Sequence, residues 1–444
     1  MATQQKRRAI NRLESRKLLR PMLDQMYDSG AAAAREGKPV AWCMVNFWEG
    51  DPILKAMDVA AIYPENYGTV CAATGVAQEH LGRSEGEGFP THLCGYARNC
   101  FGYTQKMVDL GEIPADAPLG GMAKPTFMLS SGAACDARYK WFQALRRYWD
   151  VPLWVLELPH PGADEIAMEG SLDYTIKYVV QELREFVKFL ERFLGKKMDW
   201  GRLSEILDCQ EKVFEVWGAA NDLRKARPCP MHSRDFWTMM VPAYYMAEKK
   251  ETIEAYQAVY DEVKARVDAR IGAVANEKYR LVFAELPPWH SLDFFDGLAE
   301  RGWNFVTESM GYHPPKLTDL ARVSDPLERI ARLIFKALGG LMVGRKVEGQ
   351  RSVGGAQPYL DMVTQFEADG VLFHPLLSCR TATFYLTHAA NVLLERLRVP
   401  SFFMQGDIVD LTVFDPARAL NEAEAFEETM EHYREVRKKE GLRW

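Results

Sequence analysis

Thr126-Phe-Met-Leu-Ser-Ser-Gly132 runs through two alanines into Cys135-Asp-Ala-Arg138, and apolar residues spaced for a helix fill 139–148 before a second apolar stretch at 151–158. The flanking segments read as buried strands and the middle one as a helix, so the stretch is a β-α-β unit with Cys135 in its first turn. Such units build parallel sheets, whose ligand sites gather in the loops at the carboxyl ends of the strands.

Upstream, residues 5–35 read as a charged helix, 41–47 as a short strand and 52–60 as a second helix, before Ile62-Tyr-Pro-Glu-Asn66 breaks the pattern. Downstream of Leu158-Pro-His-Pro-Gly162, residues 171–270 carry almost only helical periodicity, interrupted at Pro228-Cys-Pro230 and at Pro242. Strand signals resume at 280–284, 303–307, 370–373 and 401–404, alternating with helices near 290–300, 326–340, 381–397 and 418–437. The strand 370–373 leads into His374-Pro-Leu-Leu-Ser-Cys379, which predicts that Cys379, like Cys135, occupies a strand-to-helix turn. The expected fold is therefore α/β. Two parallel-sheet domains of the Rossmann or flavodoxin-like kind, 1–162 and 276–444, flank a helical middle domain, 163–275.

At 444 residues, 48% hydrophobic and 26% charged, the chain has the composition of an ordinary globular protein. It contains no run of about 18 apolar residues, and its amino terminus lacks the apolar core of a secretory signal. A cytoplasmic protein without membrane spans is expected. The net charge of −6 argues against general affinity for nucleic acid. No G-x-x-x-x-G-K-[ST] is present, because Leu190 stands where Gly195-Lys196 would need the first glycine, so this chain is not expected to hydrolyse nucleotide.

Of eight cysteines, three have an arginine within four positions: Cys94-Gly-Tyr-Ala-Arg98, Cys135-Asp-Ala-Arg138 and Cys379-Arg380. A nearby guanidinium favours thiolate, the form that binds metal, and a helix amino terminus does the same. In a reducing compartment disulfides are not expected. The spacings are far wider than the paired ligands of a zinc finger, so a metal held by these three would lie between domains. Free cysteine is equally at home as a small buried hydrophobe. Cys100, six residues after Cys94, is its rival; Cys43, Cys71, Cys209 and Cys229 read as core.

The elements Ile62-Tyr-Pro-Glu-Asn66, Cys94-Gly-Tyr-Ala-Arg98, Pro118-Leu-Gly-Gly-Met-Ala-Lys-Pro125, Cys135-Asp-Ala-Arg138, Pro228-Cys-Pro-Met-His-Ser-Arg-Asp235, Ala284-Glu-Leu-Pro-Pro-Trp289, His374-Pro-Leu-Leu-Ser-Cys379 and Gln405-Gly-Asp407 resemble the benzoyl-CoA reductase and 2-hydroxyacyl-CoA dehydratase family. The resemblance is greatest to the larger non-ATPase (B-type) subunit of the ATP-dependent reductase. It implies a [4Fe-4S] cluster at the junction of the two α/β domains, on Cys94, Cys135 and Cys379. It also implies a related smaller subunit with its own cluster, ATP-hydrolysing activator subunits, ferredoxin as electron source and an acyl-CoA substrate. The implied reaction is reduction of the ring of benzoyl-CoA or a substituted analogue to a cyclic diene. Such a donor must work near the negative end of the cluster range, roughly −700 mV. A radical 2-hydroxyacyl-CoA dehydratase is the alternative within the family. An electron-relay scaffold without substrate chemistry, and a zinc-containing structural protein, are the alternatives outside it.

Around this core Glu65 and His374 are candidate proton carriers; the plain reading of Glu65 is a helix or turn cap, and that of His374 a hydrogen bond to a cluster sulfide from behind the ligands. Arg98, Arg138 and Arg380 are candidate neighbours of the cluster. His232, Arg234 and Asp235 suit a CoA phosphate or, more simply, a buried ion pair. Glu285, His290, Glu308 and His313 flank strand ends where site residues collect, and Trp289 and Trp303 read as core.

Overall fold

The computed structural model describes residues 9–44, 49–132, 135–159, 168–309, 320, 322–342 and 354–442. It carries two four-stranded sheets, every pairing parallel. In the first, β1 (Val40–Cys43), β2 (Ala60–Ile62), β3 (Phe127–Ser131) and β4 (Leu153–Leu156) lie in the order β2-β1-β3-β4. In the second, β5 (Tyr279–Ala284), β6 (Trp303–Glu308), β7 (Gly370–Phe373) and β8 (Ser401–Phe403) lie in the order β6-β5-β7-β8.

Both sheets are thus wound the same way. The chain steps from the first strand to one side, returns across it and extends the other edge. The winding reverses between β1 and β3 and again between β5 and β7. At such a switch point the loops leaving adjacent strands diverge to opposite faces, which opens a crevice at the carboxyl ends. The strands β1, β3, β5, β6 and β7 are buried along their length and mostly apolar, as expected of sheets covered on both faces.

Between the sheets run the helices Ser171–Leu194, Trp200–Asp222, Ser233–Tyr245 and Lys250–Asp268. The first is strongly amphipathic, burying Val179, Leu183, Phe186 and Leu190 on one stripe. Ion pairs fasten this segment to its neighbours. Arg224 meets Glu308 at the end of β6 at 2.7 Å, both buried, and Asp235 receives Arg12 from the amino-terminal segment. Arg234 pairs with Asp293 and Asp296, and His232 caps its helix by accepting the Arg234 amide at 2.9 Å. The plain structural reading of His232, Arg234 and Asp235 accounts for their contacts.

Several expected bounds shift. The amino-terminal helix is Arg16–Arg35, because Ile10 bridges Val274 and residues 11–15 follow that contact, while 5–8 lie outside the described residues. The span 52–60 is not one helix: Asp51–Ala56 ends, Asp58 turns the chain at φ 57°, and β2 follows. The strand expected at 41–47 is β1, with 45–48 outside the described residues. The helix Gln357–Phe366 adds to those expected. After β7 the helix begins only at Leu386, so Cys379 lies in a turn and not at a helix amino terminus.

Candidate functional site

Cys94 is the residue before the helix Gly95–Leu110, and Cys135 directly precedes Asp136, the cap of the helix Ala137–Leu145. Cys135 and Cys379 follow β3 and β7, which are equivalent strands of the two sheets and border the two switch points. The three thiols are brought together. Cys94 feels the charges of Cys379 and Cys135, and Cys379 feels that of Cys135. Cys100 belongs elsewhere, buried on its helix among Trp141, Thr104 and Cys71.

The sulfurs share one local feature. A backbone amide three residues on faces each of them: Ala97 for Cys94, Arg138 (with Ala137) for Cys135 and Ala382 for Cys379. Amides so placed stabilise charge on sulfur, whatever side chain they carry.

The two halves meet through backbone and side-chain contacts beside these cysteines. The Gly95 amide donates to Ser378 Oγ at 3.0 Å. The Ser378 amide and hydroxyl both donate to Asp407, the amide at 3.1 Å. A Cβ on Gly95 would stand 2.8 Å from Asp407 Oδ1 and 3.1 Å from Val409 Cβ, so a side chain there would prise the loops apart. At the rim, Arg380 reaches Asp136 at 3.3 Å with both side chains exposed.

The arginines do not play the expected common part. Arg98 is buried between Glu85 at 2.8 Å and Asp410 at 3.2 Å, and Arg380 points along the surface to Asp136. Arg138 alone acts on a sulfur, drawing the Cys135 pKa down while pairing with Glu65 at 3.6 Å. Nor are the thiols acidic in the metal-free chain. Burial pushes Cys379 up to about 11 and raises Cys94 and Cys135 as well, outweighing the amides and Arg138. A bound metal displaces those protons and reverses the balance.

Glu65 sits in the first turn of the helix Pro64–Thr74 and is felt by both Cys94 and Cys135. His374, expected as a proton carrier, is fully buried. Its Nδ1 pairs with the Leu286 carbonyl at 2.6 Å, and burial lowers its pKa to about 4. Burial thus favours its neutral form, with Nδ1 committed to the Leu286 carbonyl. His290 bonds the Asp407 carbonyl at 3.1 Å; Glu308 is taken up by Arg224, and His313 lies outside the described residues. Trp303 is core, and Trp289 donates its indole N–H to Tyr96 at 2.6 Å. Sequence reasoning missed Ser378 and gave no role to Asp407, although both stand in family-like motifs. It missed Glu49 too, buried and faced by Arg138.

Among the described residues no three His, Cys, Asp or Glu side chains close round a point as the ligands of one metal ion do.

The sequence profile of the 2-hydroxyglutaryl-CoA dehydratase D-component family matches residues 51–430, and the chain belongs to that family. It is 24% identical to the (R)-phenyllactyl-CoA dehydratase alpha subunit of Clostridium sporogenes over 90% of its own length and 91% of that protein's. It is 24% identical to the (R)-2-hydroxyisocaproyl-CoA dehydratase alpha subunit of Clostridioides difficile, over 96% and 98%. The B-type subunit of benzoyl-CoA reductase from Thauera aromatica is 25% identical over 77% of this chain and 78% of that protein. No described helix is long and apolar enough to cross a membrane.

Proposed function

We propose that this chain is the iron–sulfur subunit of an enzyme complex acting on acyl-CoA thioesters by one-electron chemistry, with a [4Fe-4S] cluster on Cys94, Cys135 and Cys379. The observation that carries the reading is the meeting of three distant, amide-faced thiols where the two sheets present their switch-point loops. When bound, such a cluster supplies electrons at strongly negative potential and keeps one iron free of protein sulfur.

The chain's own residues supply the surroundings. The amides at Ala97, Arg138 and Ala382 offset charge on the sulfurs, and Arg138 holds the Glu65 carboxylate toward Cys94 and Cys135. The partners would be a related cluster-bearing subunit and an ATP-hydrolysing activator fed by ferredoxin.

Between the two reactions of the family, dehydration of a 2-hydroxyacyl-CoA has the broader support. The relatives named as dehydratases cover 90% and 96% of this chain. Ring reduction of benzoyl-CoA is the second reading, favoured by the motif set and by the 25% identity to a reductase subunit. Anaerobic reconstitution with activator, ATP and reductant separates them. Enoyl-CoA formed from (R)-phenyllactyl-CoA or (R)-2-hydroxyisocaproyl-CoA supports dehydration; a cyclic diene from benzoyl-CoA supports reduction. Protein that holds iron but converts none of the three contradicts both in favour of relay alone.

A further inference from the structure

The helix that follows Cys94 is anchored in the opposite half of the molecule. Three residues of its first turn, Gly95, Tyr96 and Arg98, each bond to a different loop at the carboxyl end of the second sheet. The Gly95 amide donates to Ser378 after β7 at 3.0 Å, and Arg98 meets Asp410 after β8 at 3.2 Å. The Tyr96 oxygen accepts the indole N–H of Trp289, after β5, at 2.6 Å. Cys94 therefore takes its place from the second sheet, although the first α/β half of the chain carries it.

Of the three contacts, that of Trp289 reaches furthest. The Gly95 contact uses an amide that any residue but proline would offer, and Arg98 is shared with Glu85 of its own half. The Trp289–Tyr96 bond depends on two particular side chains, both buried. Tyr96 is seated in turn on the helix Pro64–Thr74, where a Cβ on Gly68 would stand 2.7 Å from its Cδ1 and the Thr69 hydroxyl donates to its oxygen at 3.3 Å. That helix carries Glu65 in its first turn. Trp289 lies in the short turn Trp289–Ser291, which His290 braces on the Asp407 carbonyl at 3.1 Å. One indole thus couples the helices that bear Cys94 and Glu65 to the half that bears Cys379. A tryptophan kept for packing alone needs no such bond: Trp237, also buried, has no partner for its Nε1 among the described residues.

We propose that Trp289 is a positioning residue for the cluster, its bond to Tyr96 setting where Cys94 stands relative to Cys379. This rests on the cluster proposed above, while the contacts themselves belong to the chain alone. A ligand held in place by the protein returns to its iron faster than it escapes, so loss of its support shows first as weaker metal retention, typically tenfold or more.

The test compares wild type with W289F, which keeps a ring but loses the N–H, Y96F, which loses the acceptor, the double variant, and W42F. Trp42 donates its indole N–H to the Ala123 carbonyl at 2.8 Å, so W42F removes a comparable buried bond within the first half. Anaerobic release of iron to a chelator is expected to quicken about tenfold in W289F and in Y96F. The double variant adds no more than about twofold, because both single changes remove the same bond. The EPR spectrum of the reduced cluster changes in W289F and Y96F and stays that of wild type in W42F, whatever the urea midpoint of W42F. In the metal-free full chain, dibromobimane joins Cys94 to Cys379 in wild type and W42F, and the yield mapped by mass spectrometry falls at least about threefold in W289F and Y96F. Y96F carries the same test where W289F does not fold. Release, spectrum and cross-linking yield unchanged from wild type in W289F or Y96F overturn the proposal, as does W42F losing iron as fast as W289F. Wild-type protein that holds no iron overturns the cluster reading instead, and the cross-linking yields then decide the placing of Cys94 by themselves.

Discussion

Asp407 shows what a single residue contributes. Its two oxygens accept the Ser378 amide and hydroxyl and the amides of Val409 at 3.0 Å and Asp410 at 3.2 Å, all buried. Replacing it by alanine strands these donors, at roughly 1–3 kcal/mol for each left without a partner. Asp407→Ala is expected to lower urea-unfolding stability by about 3 kcal/mol and to release iron, since Ser378 would no longer dock against Gly95. His374 yields a second prediction. Its folded pKa of about 4 lies below the unfolded value of about 6.5, so the stability it contributes is complete above the unfolded value and is lost as pH falls from there toward 4. In that window its share of the slope is at most about 1.4 kcal/mol per pH unit, which urea titrations of His374→Gln should show removed. At this scale three cysteines stand out in the sequence by an arginine within four positions of each, and the residues beside them meet across the two halves. The arginines misled. Arg98, one turn past Cys94, is taken up by Glu85 and Asp410 instead.

Elements place these residues by close approach and by winding. The helices Ala77–Gly86 and Gly95–Leu110 cross at Gly102, where a Cβ would stand 1.8 Å from the His80 carbonyl oxygen. Backbone cannot yield there as a flexible side chain can, so Gly102→Ala should cost about 3 kcal/mol in urea unfolding or prevent folding. Wild-type stability in that variant would show that the helices separate freely. The β-α-β unit around Cys135 and the strands at 280–284, 303–307 and 370–373 were readable because each is a buried apolar run bounded by turns. β2 was not readable: three residues carry no period, and the preceding helix hides it. The turn at Cys379 resembles a helix start because Thr381 to Tyr385 carries no breaker, although the chain only turns there before Leu386.

For the whole molecule, the decisive property is that two sheets with the same strand order each present a switch point, and that the loops after β3 and β7 bring Cys135 and Cys379 together with Cys94. No local pattern in the sequence encodes that meeting, since Gly95 and Ser378 lie 283 residues apart. The likeness of motifs to a known family supplied it, and the parts played by Asp407 and Ser378 emerged only once the loops faced one another. The most direct test is the Mössbauer spectrum of iron-57-labelled protein purified without air, read beside those of Cys94→Ala, Cys135→Ala, Cys379→Ala and Cys100→Ala. About four irons per chain are expected as one cubane, lost or broken down in each of the first three variants and intact in Cys100→Ala. Wild-type protein without cluster iron, or a cluster that survives loss of any of the three, would refute the shared site.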